Sequence, residues 1–405
     1  MANTLLTPTI ITRKALSVLH QRLTFVRTIN RQYDSQFARS GAKIGDTLKI
    51  RKPNQFTVRT GLTMSAADIA EESLTLTVGT IKGVDMNFDS TELTLTVDDF
   101  AARYLEPAMA RLASEVESNV LTNVYKDVYN HVGTGSGEPT AFLDVLKANV
   151  KLSQGLAPDT ANRNLLVDPV VMANMVDANK ALFHRSSEIE RAFSDAFYGR
   201  AGGLKWWETT HVPSHTNGSR DDTTPLTNGV DQTGASLICD GFDATATIKK
   251  GDVFTIAGVF AVHPETKTAY THLQQFVVTA DATAAAGAVT LAIEPTITAS
   301  GAKQTVSAVA ADNKALVFVA AGGSGAASTA YPQHLAYHRD AFTLVTADLE
   351  VPKNVEASRQ VFDGISLRYV RDFDIINSKH PARFDVLYGF KTIRPEWATR
   401  MARIS

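Results

Sequence analysis

A single cysteine, Cys239, stands in 405 residues, which excludes an intrachain disulfide framework and any cysteine-rich metal site. Set in SLICDGF, it reads as a small buried hydrophobe. No run of about 18 apolar residues occurs, so no membrane-spanning helix is encoded. The opening MANTLLTPTIITRKALSVL lacks the charged n-region and cleavage site of a secretory signal, which makes the cytoplasm the expected compartment. An excess of one charge sign is missing too: 40 basic residues face 42 acidic ones, for a net charge of −2. A chain that grips nucleic acid usually shows a basic excess or a basic face. What is present, 44% hydrophobic and 20% charged residues, suits a folded soluble protein long enough for two or three cores.

Catalytic signatures are scarce as well. GTGSG at 133–137 is not followed by Lys-Ser/Thr and lacks the strand-to-helix context of a phosphate loop. The ten histidines include no HExxH, and His211 and His215 flank a proline, so they would not share a helix face. No GxSxG elbow occurs, and Cys239 has no identifiable histidine partner. The adjacent pairs Glu71-Glu72, Asp98-Asp99 and Asp221-Asp222 read as caps and solvated charges. Trp206-Trp207 could stack a sugar or a base, but a core or interface role accounts for them more simply. No enzyme, cofactor or metal site is expected.

The elements that are present follow a definite order. Thr7-Pro8 opens a helix whose Ile11, Ala15, Leu19, Leu23 and Val26 form one apolar stripe. Arg13, Lys14, His20, Arg22 and Arg27, followed by Arg31, make the arm basic. DTLKIRKPNQFTVRT (46–60) and SLTLTVGTIKGVDMNFDSTELTLTV (73–97) suggest a long hairpin. Its polar tip carries Asp68, Glu71 and Glu72. An isolated two-stranded hairpin is marginal in water, so such an arm needs a cover. Residues 97–130 read as a spine helix starting at Asp98-Asp99, with Phe100, Tyr104, Ala108, Leu112, Val116, Val120 and Val124 on one face and Pro107 as a kink. At 1.5 Å per residue it would run roughly 50 Å. Helical 141–154, a strand and helix around Asp168-Pro169, and an extended 198–213 follow.

The composition then shifts. Residues 214–331 hold 16 charged residues in 118 positions, against 66 in the other 287. Short alternating runs (ASLICDGF, DVFTIAGVFAV, LQQFVVTAD, GAVTLAIEP, KQTVSAV and ALVFVAA) predict a small β-barrel or sandwich. GGSGAAST (322–329) reads as an exit linker. Strands with period-2 patterning return at 338–352, 364–375 and 382–393, so the β-module is expected to interrupt one host domain.

This order of parts resembles the HK97-type major capsid (coat) protein of tailed bacteriophages, in the P22-like subgroup with an inserted domain. IKKGDVFTIAGVFAVHP with LQQFVVTAD resembles the core of that inserted domain. LVDPVVMANMVDANKALF with GGLKWWETTHVPSHT resembles the approach to it, YPQHLAYHRDAFTLVTADLEVP the return, and FDVLYGFKTIRPEWATRM the closing strand. The resemblance implies an α+β fold divided into an N-terminal arm (1–45), an extended hairpin with adjoining strands (46–96), a spine helix with the first part of the peripheral and axial domains (97–213), an inserted β-barrel (214–331), and the returning domains (332–405).

It implies a structural protein assembling as pentamers and hexamers into an icosahedral head around double-stranded DNA, without sequence-specific binding. The expected partners are a scaffolding protein, a portal at one vertex and decoration proteins, with assembly in the host cytoplasm and no membrane. Inter-subunit contacts are expected at Arg13, Lys14, Arg22, Arg27 and Arg31 against Asp68, Glu71 and Glu72. The loop SRDDTTPLTNGVDQTG, with Arg220, Asp221, Asp222 and Asp231, is expected to meet a neighbouring capsomer. Some shells of this fold weld a hairpin lysine to an asparagine. Residues 53–81 contain no lysine, so a non-covalent shell is expected. An encapsulin-like compartment shell is the alternative; a carbohydrate-binding surface protein would need export.

Overall fold

The computed structural model describes residues 7–33, 46–56, 58, 61–62, 71–89, 100–133, 139, 141–159, 161–179, 199–220, 224–319, 330–376 and 379–402. The chain divides into two compact units. One takes Met1–Arg51, Ser73–Val120 and Phe342–Ile393; the other takes Lys52–Glu72, Leu121–Ala341 and Arg394–Ser405.

In the first unit, helix α1 (Pro8–Arg22) and the short helix α2 (Phe25–Thr28) realise the predicted amphipathic arm. Ile11, Ala15, Leu19, Leu23 and Val26 are all buried, as their helical spacing requires. Helix α1 lies against strands Glu356–Phe362 and Ile365–Arg371. These belong to a sheet ordered Asn30–Tyr33, Phe342–Ala347, Lys379–Thr392, Ile365–Arg371, Glu356–Phe362. The 14-residue strand Lys379–Thr392 organises it, pairing also with Thr80–Asp89. The predicted second hairpin strand, 73–97, is therefore corrected. It stops at Val78, and after Gly79 the chain joins the main sheet instead. Only Asp46–Arg51 and Ser73–Val78 form the hairpin base, in register from Asp46↔Val78 to Arg51↔Ser73. Leu76 and Val78 pack on Val345, Ala347 and Leu387. Gly389 permits this approach, because a Cβ there would meet the Thr77 carbonyl oxygen at 2.4 Å.

Helix α3 (Glu106–Val124) is the expected spine. A π-helical turn, Ala101–Leu105, precedes it. Pro107 has no N–H to give the carbonyl four residues back, and the helix widens there rather than breaking. Phe100, Leu112, Val116, Val120 and Val124 are buried along one face. Asp98 and Asp99 lie outside the described residues.

The second unit contains two β-structures. One sheet runs His131–Val132, Ala398–Met401, His334–His338, Arg163–Val167, Leu204–Glu208, Arg200–Ala201. Helices α4 (Phe142–Gln154) and α5 (Pro169–Asn179) accompany it, and Asp168 Oδ1 accepts the Val171 N–H at 2.8 Å to cap α5. Val145, Leu152, Leu165, Val171, Met175 and Trp206 share its core. The strand Ala398–Met401, the end of the segment read as a closing strand, lies inside this sheet between His131–Val132 and His334–His338.

The other β-structure is ordered Leu226–Thr227, Gly234–Asp240, Val289–Ile297, Ala269–Val278, Val253–Val262, Leu316–Phe318. A bridge from Leu226 to Ala315 closes it on itself as a barrel. Phe254, Phe276, Leu237, Leu291 and Cys239 fill its interior. KQTVSAV, expected as a strand, contributes only an isolated bridge, Ala261↔Val306. Just outside the barrel, Ser214–Thr216 and Ala330–Pro332 pair antiparallel, placing His215 opposite Tyr331. Chain entering and leaving the barrel is thus zipped into a two-stranded neck. GGSGAAST lies outside the described residues.

Candidate functional site

Around that neck the second unit buries a polar cluster. Lys249-Lys250-Gly251 turns the chain into the long barrel strand, and Asp252, fully buried, sits at its start. Asp252 Oδ2 accepts Arg220 Nη1 at 2.6 Å and the backbone N–H groups of Lys249 at 3.0 Å and Gly218 at 3.3 Å. Its Oδ1 accepts His215 Nε2–H at 2.9 Å, and His215 Nδ1 accepts the Tyr125 hydroxyl at 3.1 Å. Gly218 is required at this corner, since a Cβ would fall 1.9 Å from the Thr247 carbonyl oxygen. From the central host strand, Arg400 Nη1 donates to the Gly251 carbonyl at 2.8 Å and to Gln333 Oε1 at 3.4 Å. Nearby, Gln275 of the barrel exchanges both its amide hydrogen bonds with the His131 backbone, each 2.9 Å. The turn that follows the spine helix, the neck, the barrel and the host strand all meet here.

The electrostatics are those of a buried structural network. Burial alone would raise the Asp252 carboxyl, but the hydrogen bond from His215 and the charge of Arg220 hold it below its ordinary value. Burial pushes His215 down, against the pull of Asp252 and with the help of Arg400. It also pushes Tyr125 and Tyr331 up to about 12, so both phenols stay neutral. The cluster has no exposed nucleophile, and Cys239, whose thiol burial raises to about 12, sits inside the barrel core. Among the described residues no group of three or more His, Cys, Asp or Glu side chains could hold a metal ion.

The residues singled out in the sequence fall in different places. Arg13, Arg22 and Arg27 are exposed on the arm. Arg31 is spent inside the first unit, its Nη2 2.6 Å from Asp363 Oδ2, where His20 Nε2 also arrives at 2.8 Å. Lys14 is half-buried. Glu71 and Glu72 are exposed, and Glu72 pairs with Lys303 of the barrel. Asp68, Asp221 and Asp222 lie outside the described residues. Asp231 is exposed in a turn, but Arg220 is corrected: it is buried in the cluster and faces inward. Asp252 and Arg400, which the cluster depends on, escaped sequence reasoning. The only available signal was the Gly-Asp turn before the barrel strand.

Apolar surface is exposed elsewhere. Phe56, Val58 and Leu62 near the hairpin tip are 70%, 96% and 100% exposed. Leu143, Leu146 and Val150 form an open stripe on α4.

Residues 212–401 match the family model described as P22 coat protein, gene protein 5. No curated protein matches the sequence. Among solved structures, the chain is similar to that of Mycobacterium phage Che8 at 11% identity, covering 93% of this chain and 90% of the other, with a TM-score of 0.45. It is similar to the mature capsid of bacteriophage PhiM1 at 13% identity, covering 94% and 87%, with a TM-score of 0.41. The capsid of cyanophage P-SCSP1u aligns at 9% identity over 95% and 87%, with a TM-score of 0.43.

Proposed function

We propose that this chain, which over residues 212–401 matches the P22 coat protein family model, is the major capsid protein of a tailed bacteriophage. The observation that carries the reading is that family match, which runs from the neck through the barrel to the central host strand. The α+β arrangement of arm, hairpin, spine helix and split sheets is that of an HK97-type subunit. The role is structural: the chain is a component of the virion shell.

Beyond that, we take residues 214–331 as an inserted domain and the subunit as assembling into pentamers and hexamers around double-stranded DNA. The exposed apolar residues of the hairpin and of α4 support this, since a monomer gains nothing from displaying them and a neighbouring copy would cover them. A scaffolding protein, a portal and decoration proteins would be its partners, with assembly in the host cytoplasm. Exposed Arg13, Arg22, Arg27, Glu71 and Asp231 would set register at subunit contacts rather than supply affinity. Exposed pairs are worth only about 0–1 kcal/mol each.

Electron microscopy of the chain expressed alone and with a scaffolding protein tests the reading. Closed shells or fragments with five- and six-fold units are expected; discrete monomers under both conditions would sink it. Denaturing gels of those shells should show only monomer. Lys82, the nearest lysine after the tip, is tied to Glu115 at 2.8 Å. A ladder of covalent multimers would overturn the non-covalent shell.

A further inference from the structure

The buried cluster does not balance its charge. Arg220 and Arg400 are 3% and 0% exposed, and among the described residues Asp252 is the one carboxylate bonded to either; Asp127, which also acts on Arg400 through its charge, is paired with Lys250 at 3.2 Å. His215 is held down by burial, and burial and then the Arg400 charge push His131 down to about 3, so neither imidazole adds charge. Two guanidinium cations against one carboxylate leave one positive charge in excess. Guanidinium does not shed its proton to escape this. Leaving a buried ion uncompensated costs several kcal/mol.

The hydrogen bonds show the same shortfall. Arg220 uses only Nη1, on Asp252, and its face lies over the Phe318 ring at 4.1 Å. Arg400 also uses only Nη1, on Gly251 and Gln333. The Nε and Nη2 atoms of both arginines are buried without a partner. Nε and Nη2 are the parallel donor pair with which a guanidinium grips an anion side-on. The amide of Asn217, beside the neck, is buried with both its nitrogen and its oxygen unpartnered as well. The two arginines act on one place: Arg400 binds the carbonyl of Gly251, and Arg220 binds the side chain of the next residue, Asp252.

We propose that this seam is an anion site, in which a small inorganic anion lies against the free Nε–Nη2 edges of Arg400 and Arg220. The anion supplies the missing negative charge. It also links the central host strand to the neck of the barrel, so that the barrel's attachment depends on it. Both a halide and a small oxyanion carry the required chemistry, and a halide needs less room.

The test uses the full purified chain in sodium gluconate, titrated with sodium chloride, sodium bromide or sodium phosphate at constant ionic strength. A ligand that binds only the folded state raises Tm along a saturating curve. The expected rise is roughly 3–6 °C for at least one anion, saturating in the millimolar range. Saturation with chloride and bromide alone identifies a halide; saturation with phosphate alone identifies an oxyanion. A linear or absent response to all three overturns the proposal. Arg400→Met removes the excess charge together with one donor edge and should abolish the saturating response. If it is retained, the site is not here. Should that variant fail to fold, crystals of the unmodified chain soaked in bromide and, separately, in selenate as an oxyanion probe decide the matter. Anomalous density against the two edges supports the site, and water alone there refutes it.

Discussion

The two units fasten their peripheral segments by opposite means. In the first, the N-terminal arm is held by an apolar stripe, with Phe25 against Phe342 at 5.8 Å between ring centres. Its visible ion pair, Arg31 and His20 on Asp363, is half-open to water, with Asp363 45% exposed. In the second, the barrel is tied to its host through ions taken wholly out of water. Apolar attachment loses stability in proportion to the surface removed. Buried ionic attachment is nearly all-or-none, because removing one partner strands the other. The same charge-neutralising substitution should therefore have very different effects in the two units.

The largest effect is expected at Asp252. Asp252→Ala leaves Arg220 buried without its carboxylate and takes acceptors from His215 and two backbone N–H groups. A loss of about 3–5 kcal/mol is expected at a fixed anion concentration. Chemical denaturation of the purified subunit measures it. A loss below about 1 kcal/mol would mean the seam is wet and the contrast between the units false.

Much of the apolar attachment was legible from the sequence, and almost none of the ionic one. The stripe from Ile11 to Val26 repeats at helical spacing within one segment, and alternation in DVFTIAGVFAV and GAVTLAIEP marks barrel strands. These are local patterns, read from neighbours in the chain. His215, Arg220, Asp252 and Arg400 span 186 positions, counted inclusively, and only the fold brings them together. Arg220 was misjudged for the same reason. Its surroundings, SRDD, look like an exposed loop, and nothing local announces a buried carboxylate 32 residues on. The hairpin was overextended because SLTLTV and TIKGVDMNF alternate alike. Which strand the second one joins is decided by Lys379–Thr392, far along the chain.

A buried acid on the spine helix also holds the arm, and it sharpens the comparison. Glu117 on α3, 1% exposed, accepts the backbone N–H groups of Thr24 and Phe25 at the start of α2. Burial raises its pKa to about 7 against those hydrogen bonds. A raised folded pKa means the unfolded chain releases this proton first. Stability from this group is therefore complete below the ordinary glutamate range, near pH 4.5, and is lost as pH rises through about 7. The shift corresponds to about 3 kcal/mol between those limits. Glu117→Gln keeps an acceptor without the charge. It should flatten that pH dependence and stabilise the subunit at pH 8 by about the same amount. An unchanged pH profile would show that Glu117 ionises freely in the folded chain.

The smallest effect is expected at Asp363, and it tests the contrast most directly. Burial would raise this carboxyl, but the hydrogen bond from His20 and the charge of Arg31 outweigh it and hold it below its ordinary value. Its stability contribution is therefore present above the ordinary aspartate range and lost as pH falls through the lowered value. With almost half its surface in water, solvent screens both partners, so Asp363→Asn should cost no more than about 1 kcal/mol. At 1 M salt, where the Debye length is about 3 Å, even that should fade. Asp363 and Asp252 each hold one arginine at 2.6 Å and one histidine at 2.8 and 2.9 Å. Asp252 also accepts the backbone N–H groups of Lys249 and Gly218, so with Asn placed at both positions a several-fold difference in cost measures burial together with those two bonds. Equal costs would mean that the contacts, and not their exclusion from water, decide how firmly each segment is held.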